Sequence, residues 1–297
     1  MSELRASEKR GEPVVALFLN WFLPGAGHVY LGRFGMAFFA FLLVESLYAL
    51  GYVLSGGRAF EFLDPELRGF FATVLSPEMG NFGAMLFQHK TAGFGSGEPI
   101  PFPAAVELGS ILTSLSGVVN VFFMIHVHLA ARTPDSAPRA GRSPVLLVAS
   151  AWAFPGLGHF LQGRKRRALI VGSLLLFLFF SGTLMAEGAN LSRIRHFYYW
   201  SGQFFLGAPA ILTEILSGRP PVDGEMALGD VGLLYACMPG LLNILAMLDV
   251  YGVAEKRWLT GEDISDESGS VGSSSNSSGE SEDLSTNLQG ELETPSA

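Results

Sequence analysis

Two copies of one sequence pattern bring together residue types that are suited to bind an anion. The pattern Trp-x-x-Pro-Gly-x-Gly-His-x-x-x-Gly-Arg spans residues 21–33 and recurs 131 residues later, at 152–164. Proline removes a helical hydrogen bond and glycine permits a sharp reversal, so the pattern predicts a bend with the arginine at the start of the next helix. A helix N-terminus beside arginine and histidine can bind a lipid phosphate or a carboxylate. The four candidate residues are His28, Arg33, His159 and Arg164.

A second correspondence, at an offset of 123 residues, places polar side chains inside apolar segments. The pattern Gly-x-x-Asn-x-x-x-Met starts at residue 117 and again at residue 240, and His126 in the first copy stands where the second copy has Asp249. One further acid interrupts an apolar segment, and a carboxylate inside a membrane is a functional hypothesis by default. The candidate intramembrane polar residues are Glu45, Asn120, His126, Asn243 and Asp249.

Each set of residues also has a structural interpretation. At a helical hairpin turn, arginine can extend to the lipid headgroups while histidine caps backbone groups. Asparagines in apolar helices ordinarily form hydrogen bonds from helix to helix. The carboxyl group of Glu45 can be neutral, or it can be paired with His126 or Arg68.

The sequence contains no recognisable catalytic assembly. The patterns GxSxG, HExxH and GxxxxGK[ST] are absent. His126 and His128 are two residues apart and diverge on a helix, so they do not form a pair of metal ligands. Cys237 is the only cysteine, which excludes both an internal disulfide and a CxxC site. We therefore expect neither an enzyme, nor a metal site, nor a cofactor.

Composition places the chain in a membrane. Of 297 residues, 49% are hydrophobic and only 15% are charged, against roughly 25% charged in a soluble domain. This excludes a disordered chain, a disulfide-rich secreted domain and a nucleic-acid-binding protein. Six apolar stretches approach the length of about 20 residues that crosses a bilayer. They are residues 14–31, 34–54, 104–131, 144–161, 168–185 and 229–253.

The distribution of Lys and Arg favours four crossings over six. If the two Pro/Gly-interrupted stretches enter the membrane and return, 13 of the 19 basic residues lie on the side of the termini; with six crossings the number is 12. We therefore predict an all-α polytopic membrane protein with an internal duplication, four full spans and two hairpin segments, the alternative being six spans. The positive-inside rule places both termini in the cytoplasm.

Five regions follow from these boundaries. The predicted regions are a basic N-terminal segment (1–13), membrane repeat 1 (14–131), a basic linker (132–143), membrane repeat 2 (144–257) and a disordered acidic tail (258–297). The residues from 262 onward include nine acids and no Lys or Arg, and they are too polar to offset the entropy of ordering. Aromatic residues and prolines in 55–103 and 186–228 predict short helices that lie at the membrane interface.

The bends resemble known membrane families. Residues 27–33 (Gly-His-Val-Tyr-Leu-Gly-Arg) are similar to the Gly-x-His-Arg-Phe-Tyr-Leu-Gly hallmark of the two-transmembrane-helix domain family, without its Arg-Phe pair. Residues 14–257 more closely resemble an uncharacterised family of bacterial integral membrane proteins. The resemblance lies in the AWxxPGxGHxxxGR repeats, in Tyr-Tyr-x-x-Gly-Gln-Phe-Phe (198–205) and in the GLLNxLxxLD helix (240–249). It implies a bacterial membrane protein of unknown function and no catalytic residues.

Two functional hypotheses follow. The first is a non-enzymatic membrane scaffold or assembly component that packs in the bilayer with itself or another membrane protein and binds lipid headgroups at its basic face. The second is a small-solute or ion transporter, because interrupted segments at matching places in two repeats are where transporters bind substrate. In that case the five intramembrane polar residues line its path.

Overall fold

The computed structural model describes residues 11–61, 73–93, 101–218, 220 and 227–262, and the structured elements in these ranges are helical, without strands. Most of the predicted basic N-terminal segment, up to residue 10, and the acidic tail from residue 263 lie outside the described residues. Four of the described helices are long and apolar enough to cross a bilayer. They are α3 (Phe34–Ser55), α5 (Val106–Arg132), α8 (Lys165–Met185) and α11 (Gly229–Thr260). The prediction of an all-α polytopic membrane protein is confirmed.

Large apolar side chains on the long helices are exposed, as a lipid-facing surface requires. Phe38 on α3 and Leu169 on α8 are 68% and 73% exposed. Helix α3 packs on α5, and α8 packs on α11. Gly51 and Gly109 face each other where α3 and α5 cross, and a Cβ on either would lie only 2.6 Å from the carbonyl oxygen of the other. Small residues let membrane helices approach this closely.

Each Pro/Gly pattern forms a hairpin of two short helices. Hairpin 1 consists of α1 (Pro13–Phe22) and α2 (Ala26–Tyr30), and hairpin 2 consists of α6 (Pro144–Ala153) and α7 (Leu157–Leu161). The first helix of each hairpin has ten residues, about 15 Å at 1.5 Å per residue, which is half the thickness of the hydrocarbon core. These helices are too short to cross.

The two ends of each hairpin meet on the same side. The backbone N–H of Glu12 donates to Tyr30 Oη over 3.1 Å, which joins the start of α1 to the end of α2. In hairpin 2, Arg142 Nη1 donates to the backbone oxygen of Leu161 over 2.9 Å. Both hairpins therefore enter and return, as the four-span topology predicts.

Glycine is required at the two turns because of conformation and space together. Gly25 and Gly156 precede the returning helices with φ of 87° and 84°, in the left-handed region that side chains disfavour. A Cβ at Gly25 would overlap the carbonyl oxygen of Ala37, and one at Gly156 would overlap that of Ala168. The turn therefore lies directly against the next spanning helix.

The aromatic-rich stretches reach deeper than the sequence predicted. Their described residues form a 3-10 turn (Pro77–Gly80), α4 (Phe82–Thr91), a second 3-10 turn (Ala189–Leu191), α9 (Phe197–Phe204) and α10 (Ala208–Ser217). A Cβ at Gly80 would overlap the backbone of Gly117, and one at Gly240 would overlap that of Gly202. Gly117 and Gly240 are each the twelfth residue of their helix, about 17 Å from its start. These segments therefore enter the bundle and do not only cover its surface.

Aromatic residues of the second such stretch form part of the core. Trp200 and Phe204 are nearly fully buried and pack against Ile111 and Val118 of α5. Phe122 of the same helix packs edge-on against the Trp152 ring, with ring centroids 6.0 Å apart. The contacts join residues 106–132 to residues 144–204, so the two halves of the chain share one core.

The turn geometry predicts different effects for two glycine-to-alanine changes. Gly25→Ala and Gly32→Ala both place a side chain at positive φ (87° and 72°), which costs about 1 kcal/mol. Only Gly25→Ala also meets a backbone oxygen, because a Cβ at Gly32 has open space around it. We expect Gly25→Ala to lower the free energy of unfolding by a further ~1–3 kcal/mol. Unfolding in detergent measures both, and equal losses would contradict the close packing of the turn.

Candidate functional site

The first helix of hairpin 1 ends with a carbonyl group that has no hydrogen-bond donor within its own helix. The carbonyl oxygen of Asn20 lies in the last turn of α1, and the residue four positions later is Pro24, which has no N–H. Asn120 of α5 replaces the missing donor, since its Nδ2 donates to Asn20 O over 2.9 Å. The same amide donates to Gly80 O over 2.9 Å, at the end of the first 3-10 turn. One fully buried asparagine thus caps two segments that approach it from opposite sides.

Hairpin 2 repeats this arrangement with the corresponding residues. Ala151 lies in the last turn of α6, and Pro155 stands four residues later. Asn243 Nδ2 of α11 donates to Ala151 O over 3.1 Å and to Phe205 O, at the end of α9, over 3.0 Å. Asn243 is also fully buried. Inside an apolar bundle an unpaired carbonyl group is costly, so each asparagine satisfies a requirement that its proline creates.

A chain of side-chain hydrogen bonds extends from the first bend to His126. The Gly25 N–H donates to Asn20 Oδ1 over 3.0 Å, and Asn20 Nδ2 donates to Asn120 Oδ1 over 3.0 Å. These two bonds fix the amide orientation of Asn20, so the His28 Nδ1, 3.2 Å from Asn20 Oδ1, carries the proton and donates. In the neutral ring, His28 Nε2 then accepts from His126 Nδ1, 2.9 Å away. His126 Nε2 is the ring atom that remains for another partner.

His28 is neutral at physiological pH. Its side chain is fully buried in α2, outside the four spanning helices. Burial lowers the pKa of His28 to about 4, and nearby His126 and Arg33 contribute in the same direction because they disfavour a second positive charge. The neutral ring therefore carries its one proton on Nδ1, and Nε2 is free to accept.

At the second bend the corresponding residues form an ion pair. His159 Nε2 lies 3.0 Å from Asp249 Oδ2, and Arg164 Nη1 donates to the same oxygen over 2.6 Å. Arg167 Nη1 reaches the other carboxylate oxygen at 3.4 Å. His159 and Arg164 are buried, whereas the carboxylate of Asp249 is 41% exposed. This bend therefore contains its own anion.

Among the described residues, no carboxylate contacts the histidine and arginine of the first bend in this way. His126 stands where the second half has Asp249, and it contacts His28 in the way that Asp249 contacts His159. Arg33, the counterpart of Arg164, is exposed and has no ion-pair partner among the described residues. Of the four candidate anion-binding residues, the two histidines and Arg164 are thus bound to other side chains, and Arg33 is not.

Glu45 is separate from these networks. Its Oε1 accepts a hydrogen bond from Asn81 Nδ2 over 3.3 Å, and it lines a cleft of about 560 Å³ with apolar and tyrosine side chains. His126, one of the two partners predicted for it, is bound to His28. Arg68, the other, lies outside the described residues. The remaining lining residues of the cleft include Phe41, Tyr48 and Phe87.

Sequence reasoning missed a buried ion pair that joins the two halves. Arg193 Nη1 lies 2.6 Å from Glu78 Oε1, and neither side chain is exposed. The hydroxyl groups of Thr113 and Ser114 donate to the same carboxylate oxygen over 2.8 and 2.9 Å. The guanidinium group lies over three aromatic rings, those of Phe60, Phe197 and Trp200. No sequence signal identified this pair, because Glu78 and Arg193 are 115 residues apart and belong to stretches that were predicted to lie at the interface.

The pair is charged. Burial by itself would raise the pKa of Glu78, but the charge of Arg193 and its hydrogen bond lower the pKa further than burial raises it. The carboxylate is therefore ionised at neutral pH and needs its cationic partner.

One known protein family matches this sequence. The model of a family of unknown function (DUF6677) matches residues 15–137 and 146–259. No curated protein and no solved structure matches the chain. The more distant resemblance to the two-transmembrane-helix domain family stays a prediction.

The paired roles of the asparagines predict that both positions are sensitive, Asn120 the more so because its Oδ1 also accepts from Asn20 Nδ2. Asn120→Leu and Asn243→Leu each leave one buried and one partly buried carbonyl group without a donor, at about 1–3 kcal/mol per group. We expect each variant to lose about 2–5 kcal/mol in free energy of unfolding, measured in detergent. Met124→Leu and Met247→Leu, one turn further along the same helices, are the matched controls and should each lose less than about 1.5 kcal/mol. Losses no larger than in the controls would refute the capping role.

The buried pair predicts strong coupling in a double-mutant cycle. Arg193→Met leaves the Glu78 carboxylate buried without a cation and should cost about 3–5 kcal/mol, whereas Glu78→Gln combined with Arg193→Met should cost less than the sum of the single changes. The control cycle uses Arg132 and Glu255, an ion pair at the edge of the bundle whose arginine is 44% exposed. That pair should couple by less than about 1 kcal/mol. Additive losses at Glu78 and Arg193 would argue against a charged pair.

Proposed function

We propose that this chain, which belongs to the family of unknown function DUF6677, is a non-enzymatic membrane scaffold whose copies pack with one another in the bilayer. We infer that the two halves arose by duplication of one unit, consisting of a hairpin, a spanning helix, a short inserted segment and a closing helix. The support for this inference is the matching use of Pro24 with Asn120 and of Pro155 with Asn243.

The observation that carries the scaffold proposal is that the side-chain N–H donors of four buried residues at the two bends are bonded to the protein itself. Asn20, His28, Asn120 and Asn243 are all fully buried, and their hydrogen bonds go to one another, to His126 or to backbone groups. A transport path needs polar groups that exchange partners with a solute. Groups committed to holding broken helices suit a rigid frame.

Headgroup binding at one face is part of the proposal. Arg33, Arg164 and the loop with Arg139 and Arg142 lie at the end of the bundle where both hairpins begin and end. The excess of basic residues at this end favours the cytoplasmic face of a bacterial inner membrane. Anionic headgroups would then lie opposite Arg33, Arg139 and Arg142, which are exposed, whereas Arg164 is buried against Asp249.

Transport is the second candidate, and Glu45 is the observation that favours it. The carboxyl group lies in a spanning helix, beside a cleft of about 560 Å³, with an amide partner and no cation among the described residues. A carboxyl group that can take up and release a proton at this depth is a typical element of a proton-coupled carrier.

Reconstituted protein separates the two candidates. We expect liposomes containing the protein and a trapped pH-sensitive dye to collapse a pH gradient no faster than empty liposomes. We also expect resonance energy transfer between donor-labelled and acceptor-labelled copies. Thr260→Cys supplies the label site because Thr260 is exposed and the only native cysteine, Cys237, is buried.

The matched variants are Glu45→Gln and Glu187→Gln, which remove one carboxylate inside the bundle and one at an exposed position. For a scaffold, both variants should keep wild-type energy transfer. Proton flux that is lost in Glu45→Gln and retained in Glu187→Gln would establish the transport candidate. Energy transfer that falls to the random level upon dilution in lipid would overturn self-association.

A further inference from the structure

A polar cavity of about 720 Å³ lies beside the first bend, at the end of α5. Its lining includes Arg33, His126, Arg139 and Ser143, together with the carboxylate of Asp135. Two arginines and one aspartate give this lining a net positive charge while His126 is neutral. Neither Arg33 nor Arg139 has an ion-pair partner among the described residues.

The second bend shows what the residues of the first are arranged to hold. There the histidine and arginine of the pattern bind one carboxylate oxygen, His159 at 3.0 Å and Arg164 at 2.6 Å. The carboxylate comes from Asp249, whose counterpart in the first half is His126. At the first bend, His126 takes the position of Asp249 against the histidine, and the cavity lies beside the retained arginine.

We propose that this cavity binds a phosphate group, which would pair with Arg33 as Asp249 pairs with Arg164 in the second half. The guanidinium groups of Arg33 and Arg139 would contact the phosphate oxygens, because planar N–H donors match their geometry. The Nδ1–H of His126 is used by His28, so its Nε2 is an acceptor, and the donors to the phosphate are the two guanidinium groups and the Ser143 hydroxyl group. The hydroxyl group of Ser143 completes the polar lining.

The inference rests on the proposed function, since it gives headgroup binding a site and a ligand class. The phosphate can come from two sources, an anionic lipid headgroup or free inorganic phosphate. Both offer the same oxygens to the arginines, and they differ in whether the ligand is delivered from the membrane.

Two arms of one experiment distinguish the sources. In the first, full-length protein in a nonionic detergent is titrated with inorganic phosphate, while sodium chloride keeps the ionic strength constant. In the second, the protein is placed in vesicles of phosphatidylcholine, with or without phosphatidylglycerol. The thermal unfolding midpoint reports binding in both, because a ligand that binds only the folded state raises it. A shift in the second arm alone identifies the lipid, and one in the first arm identifies free phosphate.

Arginine substitutions test whether the ligand binds in this cavity. We expect Arg33→Gln and Arg139→Gln to weaken the response by about tenfold or more, as loss of one charge-assisted hydrogen bond implies. Arg166→Gln is the matched control, since it removes one exposed charge from the first turn of α8, outside the cavity lining. It should leave the response unchanged.

A reciprocal exchange tests the relation between the bends. His126→Asp supplies an internal carboxylate and should abolish the response, whereas Asp249→His should add a second binding event at Arg164. If His126→Asp does not fold, Arg33→Gln and Asp249→His still decide the result. Equal weakening by Arg33→Gln, Arg139→Gln and Arg166→Gln, or no response in either arm, would overturn the inference. Energy transfer between labelled copies would be unaffected by that outcome, so the scaffold proposal is judged separately.

Discussion

The structure depends on satisfying carbonyl groups where a helix stops inside an apolar bundle. Water is not available there, and each unpaired group is costly to bury. Pro24 and Pro155 stop α1 and α6 after ten residues and also remove the donors that the Asn20 and Ala151 carbonyls would otherwise use. A side-chain amide on a neighbouring helix is an economical solution, because it has two donors and no charge.

This solution determines how the other elements are placed. The amide groups of Asn120 and Asn243 each have two hydrogens, and the second hydrogen binds the end of a segment that enters from the opposite side. The entering segments can reach those hydrogens only if the backbones nearly touch, as they do where Gly80 meets Gly117 and where Gly202 meets Gly240. Proline, asparagine and glycine in these patterns therefore serve one contact, although they lie in three different parts of the sequence.

The fold was largely predictable, but the contacts within it were only partly so. Apolar length identified six stretches that include the four spanning helices, and the basic residues favoured four crossings with two returning hairpins. The repeated offsets singled out Asn120 and Asn243 but not their partners, because a backbone carbonyl has no signature in a sequence. The aromatic residues around Trp200 were predicted to lie at the interface, since an amphipathic ring is equally suited to an interface and a protein core. Glu78 and Arg193 were missed because neither is periodic nor repeated.

The differences between the halves are more informative about function than their similarities. Shared features such as the bend glycines and the capping asparagines are needed wherever a helix is interrupted inside an apolar bundle, to form the turn and to bond the unpaired carbonyl groups. The exchange of Asp249 for His126 answers no such requirement, because both residues contact the histidine of their bend equally closely, at 3.0 and 2.9 Å. What the exchange changes is charge: the second bend is neutralised from within, and the first keeps an unpaired arginine beside a cavity. Meanwhile the buried Glu78–Arg193 pair joins the halves through a contact that has no counterpart in the pattern of repeats. The two bends therefore share a backbone design but differ in charge, since one is closed by its own carboxylate and the other leaves an exposed arginine beside a cavity.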